Sequence, residues 1–318
     1  HVALEASSHG LHQSRLDGVQ FSGAGFTNFS QDHLDYHNSL DEYFEAKALL
    51  FRQLLPSDKT AVINVDDKRI KVFGEELKAL GHSVVTLGVS GEPNIKLKKQ
   101  SFDSSGQNVF FEYDGRLYQK RFNLIGGFQA QNVLMAAALV ISLGSDPHDV
   151  FSVLHNLLTV KGRMELAASR ANGANIFIDY AHTPDAIETA ITSLRTHVFG
   201  RVIAVIGAGG DRDQSKRPLM GLAASKNADV VIVTDDNPRS EDPAKIRQMI
   251  IKGIGPGISH ECGDRAEAIL RAVDMLDVGD ALLICGKGHE TGQVIGEDVL
   301  PFDDAEQASI SVEALDGV

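Results

Sequence analysis

The chain has 318 residues and a formal net charge of −13, from 30 Lys and Arg against 43 Asp and Glu. A surface this acidic repels nucleic-acid phosphates and anionic lipid, so neither nucleic acid nor membrane is expected as a partner. The two cysteines, Cys262 and Cys285, match no metal-binding spacing, and no apolar run reaches membrane-spanning length. These features predict a soluble cytoplasmic protein with reduced thiols, long enough for two domains.

The first half of the chain mixes strand and helix patterns. Residues 2–5 are typical of the interior of a strand, so we expect His1 to lie at a processing or cloning boundary. Residues 41–55 carry apolar side chains at helical spacing and predict an amphipathic helix. The other elements predicted here are a buried strand over 60–65, antiparallel strands between 94 and 122 with a turn at 113–115, and a helix over 129–143.

The second half, from about residue 161, alternates apolar strands with helices, which predicts a parallel sheet covered on both faces. The predicted strands are 176–178, 202–206, 230–233 and 281–284. A polar cluster follows each strand. Because parallel strands end at the same edge of a sheet, we expect the clusters to form one site. The clusters are 179–182, 209–213, 235–239 and 286–290.

Two segments near the start are rich in residue types that bind magnesium. Glu5 precedes Ser7-Ser8-His9, and Asp32 and His33 lie in the run Asp32-His33-Leu34-Asp35-Tyr36-His37. Carboxylate oxygens with imidazole beside them can hold Mg²⁺ near a nucleotide. The alternative is that Asp32 or Asp35 caps a helix and that the histidines are exposed.

Charged residues elsewhere have ordinary interpretations too. Lys47 lies among apolar helix residues, and on this evidence its stem covers the core while its ammonium reaches water. The pairs 162–163 and 216–217 are expected to be solvated surface charge. Residues 207–210 fail the dinucleotide fingerprint, because Arg212 stands where a glycine is required. Arg239 follows Asn237-Pro238 at a loop tip, where a guanidinium offers a planar fork for a carboxylate.

Taken in chain order, the motifs resemble those of the Mur ligase family. They are Glu5-Ala6-Ser7-Ser8-His9 with Arg15, Phe26-Thr27-Asn28, residues 32–37, Tyr43-Phe44-Glu45-Ala46-Lys47, Asn132, Gly162-Arg163-Met164-Glu165, residues 179–185, 209–220, 236–239 and 286–290. The resemblance implies an α/β fold, with a central ATPase-type domain over 1–160 and a Rossmann-like doubly wound C-terminal domain over 161–318. It implies that the central domain is truncated at its start. The family's glycine-rich phosphate loop would precede Glu5, so we expect this chain to be inactive by itself. We also expect a monomer.

The family's reaction implies substrates and cofactors. ATP phosphorylates a substrate carboxylate, and the amine of an amino acid then displaces phosphate from the acyl phosphate. By resemblance, Glu5, His33 and Lys47 hold two Mg²⁺ ions, with Lys47 as a carbamate, which reverses the interpretation from the residues alone. The resemblance implies ATP contacts at Asn132, Arg163, Asp179 and His182, with His182, His33 and Lys47 as catalytic residues. It implies contacts to the UDP-N-acetylmuramoyl dipeptide at Ser7, Arg15 and Asn28.

The amino acid distinguishes members of the family. By resemblance, Arg212, Asn237 and Arg239 receive the distal carboxylate of meso-diaminopimelate, and Gly286 and Glu290 receive its far ammonium. Enzymes of the group that choose lysine lack the arginine, and a buried arginine would repel a lysine side chain. The alternatives are another Mur-family ligase, a folate polyglutamate synthetase, or a binding module without turnover. Arg239 and Arg15 argue against the first two.

Overall fold

The computed structural model describes residues 1–34, 36–255 and 259–317. The described residues form two compact units. The first unit contains His1–Phe102 and Gly106–Leu157, and the second unit contains Asp103–Ser105 and Leu158–Val318. Within this described part of the chain, no helix combines the length and the apolar character needed to cross a bilayer.

The first unit is built on one sheet with strands in sequence order, β1 to β6. Its elements are α1 (Ser8–His12), β1 (Gly23–Phe26), α2 (Leu40–Leu49) with a π-helical turn (Leu50–Leu54), β2 (Thr60–Asn64), α3 (Lys68–Ala79), β3 (Ser83–Gly88), β4 (Ile95–Asp103), β5 (Gly106–Tyr113), β6 (Arg116–Phe122), α4 (Phe128–Ser142), α5 (Pro147–Ser152) and a 3₁₀ turn (Leu154–Asn156). The pairs along β1–β4 are parallel, and β5 and β6 form an antiparallel hairpin.

Most predicted elements of the first unit are confirmed. The helix over 41–55 corresponds to α2 and its π-helical turn, and Ser39 caps it by accepting a hydrogen bond from the Glu42 N–H at 3.1 Å. The predicted hairpin turn forms at Asp114 and Gly115, both with positive φ, which suits the twist of the flanking strands. The predicted strand at 2–5 is wrong. Residues 1–7 belong to no helix or strand, because Val2 and Leu4 are exposed rather than packed against a neighbouring strand.

The apolar face of α2 packs onto β1 through aromatic rings. Phe26 lies 5.7 Å from both Phe44 and Phe51, measured between ring centroids. Ala48 of the same helix is fully buried in this cluster. Since Lys47 is the neighbour of Ala48, the packing of α2 fixes the side of the helix on which its ammonium lies.

The second unit contains the predicted parallel sheet. Its elements are β7 (Arg163–Ser169), β8 (Asn175–Asp179), α6 (Pro184–Arg195), β9 (Val202–Ile206), α7 (Lys216–Asn227), β10 (Val230–Val233), α8 (Pro243–Ile251), β11 (Ser259–Glu261), α9 (Arg265–Asp274), β12 (Ala281–Cys285), β13 (Gly292–Ile295), β14 (Asp298–Pro301) and α10 (Asp304–Asp316). The strand order is β11-β10-β9-β12-β8-β7, parallel except for the edge strand β7.

Helices cover both faces of this sheet, as predicted. Ile203, Val205 and other alternate strand residues pack against α9 and α10, while α6 and α7 contact β9 and β10. All four strands predicted in this half are confirmed within one residue at each end. Strands β8, β9, β10 and β12 therefore end together, at what we call the carboxyl edge.

Candidate functional site

Lys47 lies near the end of α2 with its ammonium turned toward acidic residues of the first unit. Its Nζ is 5.0 Å from the ring centroid of Tyr43. Burial lowers the pKa of Lys47, and the carboxylates of Glu5 and Asp32 partly oppose that change. Lys47 is partly buried. It lies near Glu5 and Asp32, which come from the two predicted metal-binding segments.

His33 is the second residue of the segment 32–37. Its φ is +54°, and its backbone N–H donates to Asp32 Oδ1 at 2.8 Å. The His33 ring lies 5.9 Å from that of Tyr43 and 4.7 Å from that of His9. Asp32 therefore bonds to its neighbour rather than capping α2, and His33 is half-buried rather than fully exposed. The alternative cap, Asp35, lies outside the described residues.

The donor set around Lys47 fits Mg²⁺ on one condition. Glu5 and Asp32 offer carboxylate oxygens, which suit a hard cation, and His33 offers an imidazole nitrogen in addition. An ammonium at Lys47 would repel the metal. A carbamate at the same nitrogen would instead add anionic oxygens, so the residues present fit the ion when Lys47 is modified.

The residues predicted to hold the UDP-linked dipeptide lie at separate points of the first unit. Ser7 caps α1, and its Oγ accepts a hydrogen bond from the Gly10 N–H at 3.1 Å. Arg15 is exposed after α1, and Asn28 is exposed after β1. Among the described residues, no direct hydrogen bond joins these three side chains. Asn132, predicted to contact ATP, is exposed in the first turns of α4.

In the second unit, Asp179 fixes the turn that follows β8. Its Oδ2 accepts from the Met164 N–H and its Oδ1 from the Ala181 N–H, both at 2.8 Å. Burial raises the pKa of Asp179, while these two hydrogen bonds oppose the change. Asp179 thus joins β7, β8 and the turn that carries His182.

Tyr180 forms a platform in that turn, to which the sequence analysis gave no role. The Arg163 guanidinium lies 4.8 Å from its ring centroid, a cation–π distance. The His182 ring is 4.7 Å from the Tyr180 ring, and the His289 ring is 5.5 Å away. Arg163 is partly exposed and its guanidinium lies against an aromatic face, so its charge is not surrounded by solvent alone.

Arg239 connects the polar cluster 235–239 with the cluster 209–213 at the carboxyl edge. Its Nη1 donates to the Gly210 carbonyl at 2.9 Å, and its backbone N–H donates to the Val294 carbonyl at 3.0 Å. A Cβ at Gly209 would lie 2.7 Å from Arg239 Nη1, so a side chain there would displace the guanidinium. Arg239 itself has a φ of +50°. Strain of this kind is characteristic of functional sites.

The other two clusters are joined to the same place. Asn237 Nδ2 donates to Glu290 Oε2 at 2.9 Å, and the Gly286 N–H donates to the Asp179 carbonyl at 3.1 Å. Gly286 has a φ of +116°, and a Cβ there would lie 2.5 Å from Asp236 Oδ2. Arg212 is exposed. The four clusters predicted to form one site are in direct contact.

Two buried arginines donate hydrogen bonds to the backbone at this edge. Arg265 forms a fully buried pair with Asp304, at 2.7 Å for both contacts, and donates to the Cys285 carbonyl at 2.9 Å. Arg217 is fully buried as well, so the prediction of solvated charge at 216–217 is wrong for that residue. Glu241 provides the acceptor that makes its burial possible.

Two family models and several known proteins match this chain. Residues 1–140 match the model of the Mur ligase middle domain, and residues 162–288 match that of the Mur ligase glutamate ligase domain. The chain is 46% identical over 318 residues to the UDP-N-acetylmuramoyl-L-alanyl-D-glutamate--2,6-diaminopimelate ligase of Caulobacter vibrioides, covering 100% of this chain and 64% of the relative. The enzyme of that name from Bradyrhizobium diazoefficiens is 48% identical, covering 98% of this chain and 64% of the relative.

Solved structures show the same fold. A structure of a UDP-N-acetylmuramoyl-L-alanyl-D-glutamate--2,6-diaminopimelate ligase is 34% identical with a TM-score of 0.63, covering 97% of this chain and 63% of that one. A Mycobacterium tuberculosis folylpolyglutamate synthase complexed with ADP and AMPPCP is 22% identical with a TM-score of 0.70, covering 95% of this chain and 65% of that one, and shows the fold alone. The chain belongs to the Mur ligase family and spans 64% of the length of the curated relatives described above.

Proposed function

We propose that this chain is part of an ATP-dependent ligase that adds meso-diaminopimelate to UDP-N-acetylmuramoyl-L-Ala-D-Glu in peptidoglycan synthesis. The observation that carries the proposal is the meeting of Arg239, Asn237 and Glu290 at the carboxyl edge. Two curated relatives with this activity in their names align over 98% or more of the chain.

The amino-acid site matches the chemistry of meso-diaminopimelate. This substrate has an amino acid head at each end, so its far end needs both a cation and an anion. Arg239 and Arg212 supply guanidinium groups for the distal carboxylate. Glu290 supplies a carboxylate for the far ammonium, and the Gly286 carbonyl can accept from the same group. A lysine substrate would place its ammonium among these arginines without the balancing carboxylate, which disfavours it.

The turn after β8 carries the residues proposed for ATP. Arg163 can neutralise phosphate charge while Tyr180 holds its guanidinium in place. Asp179 fixes the backbone of the turn, and the His182 ring is oriented by the contact of its Nδ1 with the Tyr180 carbonyl at 2.7 Å. In the first unit, Asn132 has an exposed amide and is also proposed to contact ATP.

Lys47 has the surroundings that carbamylation requires. A neutral amine attacks CO₂, an N–C bond forms, and the lost proton leaves an anionic carbamate. Burial favours the neutral amine because it lowers the pKa of Lys47. We infer that Glu5, His33 and the carbamate hold Mg²⁺, which when bound neutralises phosphate charge. His33 and Lys47 are also proposed as catalytic residues. The packing of α2 orients Lys47, and the Tyr43 ring lies beside both side chains.

The proposed reaction has two steps, and negative charge meets at the reacting atoms in both. The substrate carboxylate attacks the γ-phosphorus of ATP, ADP leaves, and an acyl phosphate forms. The amine of diaminopimelate then attacks the acyl carbon, phosphate leaves, and the amine loses a proton. Each step collects negative charge, so the cationic side chains matter most in the transition state. Arg15, with Ser7 and Asn28, is proposed to bind the UDP-linked dipeptide.

Calorimetry tests the proposal on the chain as it stands. We expect saturable binding of meso-diaminopimelate, with L-lysine at least tenfold weaker by the order of magnitude of one buried unpaired charge. Titration with ATP, measured separately, distinguishes a nucleotide-binding chain from a module that retains the amino-acid site alone. Equal affinity for lysine and diaminopimelate, or binding of neither, would contradict the proposed substrate.

A further inference from the structure

Lys287 is a fully buried lysine at the carboxyl edge that none of the proposed steps uses. It is the second residue after β12, separated from the strand by Gly286. Burial strips water from an ammonium, which is costly unless acceptors replace that water. Its Nζ lies 3.0 Å from Asn237 Oδ1 and 3.5 Å from Glu290 Oε2. Lys287 thus contacts two residues of the proposed amino-acid site at once.

The backbone around Lys287 is held from both sides. Gly286 has a φ of +116° and Gly288 a φ of +55°. A Cβ at Gly286 would lie 2.5 Å from Asp236 Oδ2, and one at Gly288 would lie 2.8 Å from Tyr180 Cβ. Neither position can carry a side chain without a clash, so the backbone on both sides of Lys287 requires glycine.

Lys287 also takes part in orienting the Asn237 amide. Asn237 Oδ1 accepts from the Val294 N–H at 2.9 Å and from Lys287 Nζ at 3.0 Å. These two donors use both lone pairs of the oxygen. The amide nitrogen must therefore face Glu290, to which it donates at 2.9 Å.

Glu290 is left with one oxygen held and one oxygen open. Its Oε2 receives both Asn237 and Lys287, whereas Oε1 has no hydrogen-bond partner within the described residues. The side chain is 35% exposed, so a ligand can approach it. Two anchors on Oε2 fix the direction in which Oε1 points.

We propose that Lys287 is a positioning residue that aims Glu290 Oε1 at the far ammonium of a diamino acid. This inference rests on the proposed function, because it takes the diamino substrate as given. Without the Lys287 ammonium, Glu290 keeps only the hydrogen bond from Asn237, and its carboxylate can turn toward solvent. Recognition of the far amine then weakens, while recognition of the carboxylates by the arginines remains.

Two ligands isolate that effect by calorimetry on the whole chain. Meso-diaminopimelate carries the far amine, and 2-aminopimelate keeps both carboxylates but lacks it. We expect the wild-type chain to prefer diaminopimelate. Lys287→Met should reduce that preference about tenfold, the scale of one hydrogen bond to a charged group, with the affinity for 2-aminopimelate unchanged. Lys245→Met, at an exposed lysine of the same unit, is the matched control and should change neither affinity.

A double variant checks that Lys287 acts through Glu290. In a Glu290→Gln background, Lys287→Met should cause no further loss of preference. An unchanged preference in Lys287→Met, or an equal loss of affinity for both ligands, would overturn the inference. If Lys287→Met shows no cooperative thermal transition, Lys287→Gln, which keeps a donor without the charge, is measured by the same criterion. Wild-type protein that binds neither ligand would contradict the proposed function instead.

Discussion

Arg217 and Glu241 form a bidentate ion pair inside the second unit. Arg217 Nη1 lies 2.8 Å from Glu241 Oε2, and Nη2 lies 2.7 Å from Oε1. Arg217 also donates to the Gly209 carbonyl at 3.2 Å, and Glu241 accepts from the Asp211 N–H at 2.6 Å. The pair therefore joins the loop that carries Arg212 to the segment that follows Arg239.

Removing the acceptor of this pair should destabilise the second unit strongly. Glu241→Ala leaves the fully buried Arg217 guanidinium without its carboxylate, and we expect a loss of about 3–5 kcal/mol in the free energy of unfolding. Urea denaturation measures it. The control is Glu267→Ala, whose pair with Arg271 is 51–55% exposed and should cost less than about 1 kcal/mol. Equal losses in the two variants would show that burial of the pair does not matter.

Asp280 should make stability depend on pH in the acid range. Burial alone would raise the pKa of Asp280, but hydrogen bonds from Arg201 and from the Asp277 N–H outweigh it and leave the pKa below its usual value. A lowered folded-state pKa adds stability above the unfolded value of about 3.9, and that stability is lost as pH falls through the folded pKa. In urea titrations between about pH 5 and pH 2, Asp280→Asn should lose stability less steeply than wild type. Parallel curves would rule out this contribution.

Lys47 should carry a carbamate that can be detected directly. With ¹³C-labelled bicarbonate, the ¹³C NMR spectrum of the chain should contain a carbamate signal that disappears in Lys47→Ala. Alanine is the best helix former, so α2 should remain intact and the melting temperature should change little. Lys68→Ala, at an exposed lysine in the first turn of α3, is the control and should keep the signal. A lowered melting temperature with no carbamate signal in wild type would support a purely packing role for Lys47.

The strand–helix order and the carboxyl edge could be predicted because apolar strands such as Val202–Ile206 are short, continuous and followed by polar residues. This pattern predicted the carboxyl edge, and the edge in turn predicted that Asn237 and Glu290 lie close together. The strand predicted at residues 2–5 was wrong because an apolar pattern forms a strand only when a neighbouring strand is present. The presence of that neighbour depends on tertiary structure.

The buried arginines were missed although their spacing contained a signal. Arg217 precedes Met220, Gly221 and Ala224 on the buried face of α7, and Arg265 occupies the equivalent place before Ala268 and Ile269 on α9. Helical periodicity alone would have placed both inside. Their partners could not be predicted, because Asp304 is 39 residues from Arg265 in sequence. For the same reason, the role of Tyr180 depends on contacts with Arg163 and His289 that only the fold creates.

Selectivity at Arg239 tests the central claim most directly. Calorimetric titrations of wild type and Arg239→Ala with meso-diaminopimelate and L-lysine give the ratio of the two dissociation constants for each protein, and Arg271→Ala serves as an exposed control. Leaving the distal carboxylate unpaired should weaken diaminopimelate binding by about 2–3 kcal/mol, roughly 30- to 150-fold, while lysine binding holds or improves. If the ratio in Arg239→Ala equals that of wild type, the carboxyl edge of the second unit is not the site that selects diaminopimelate.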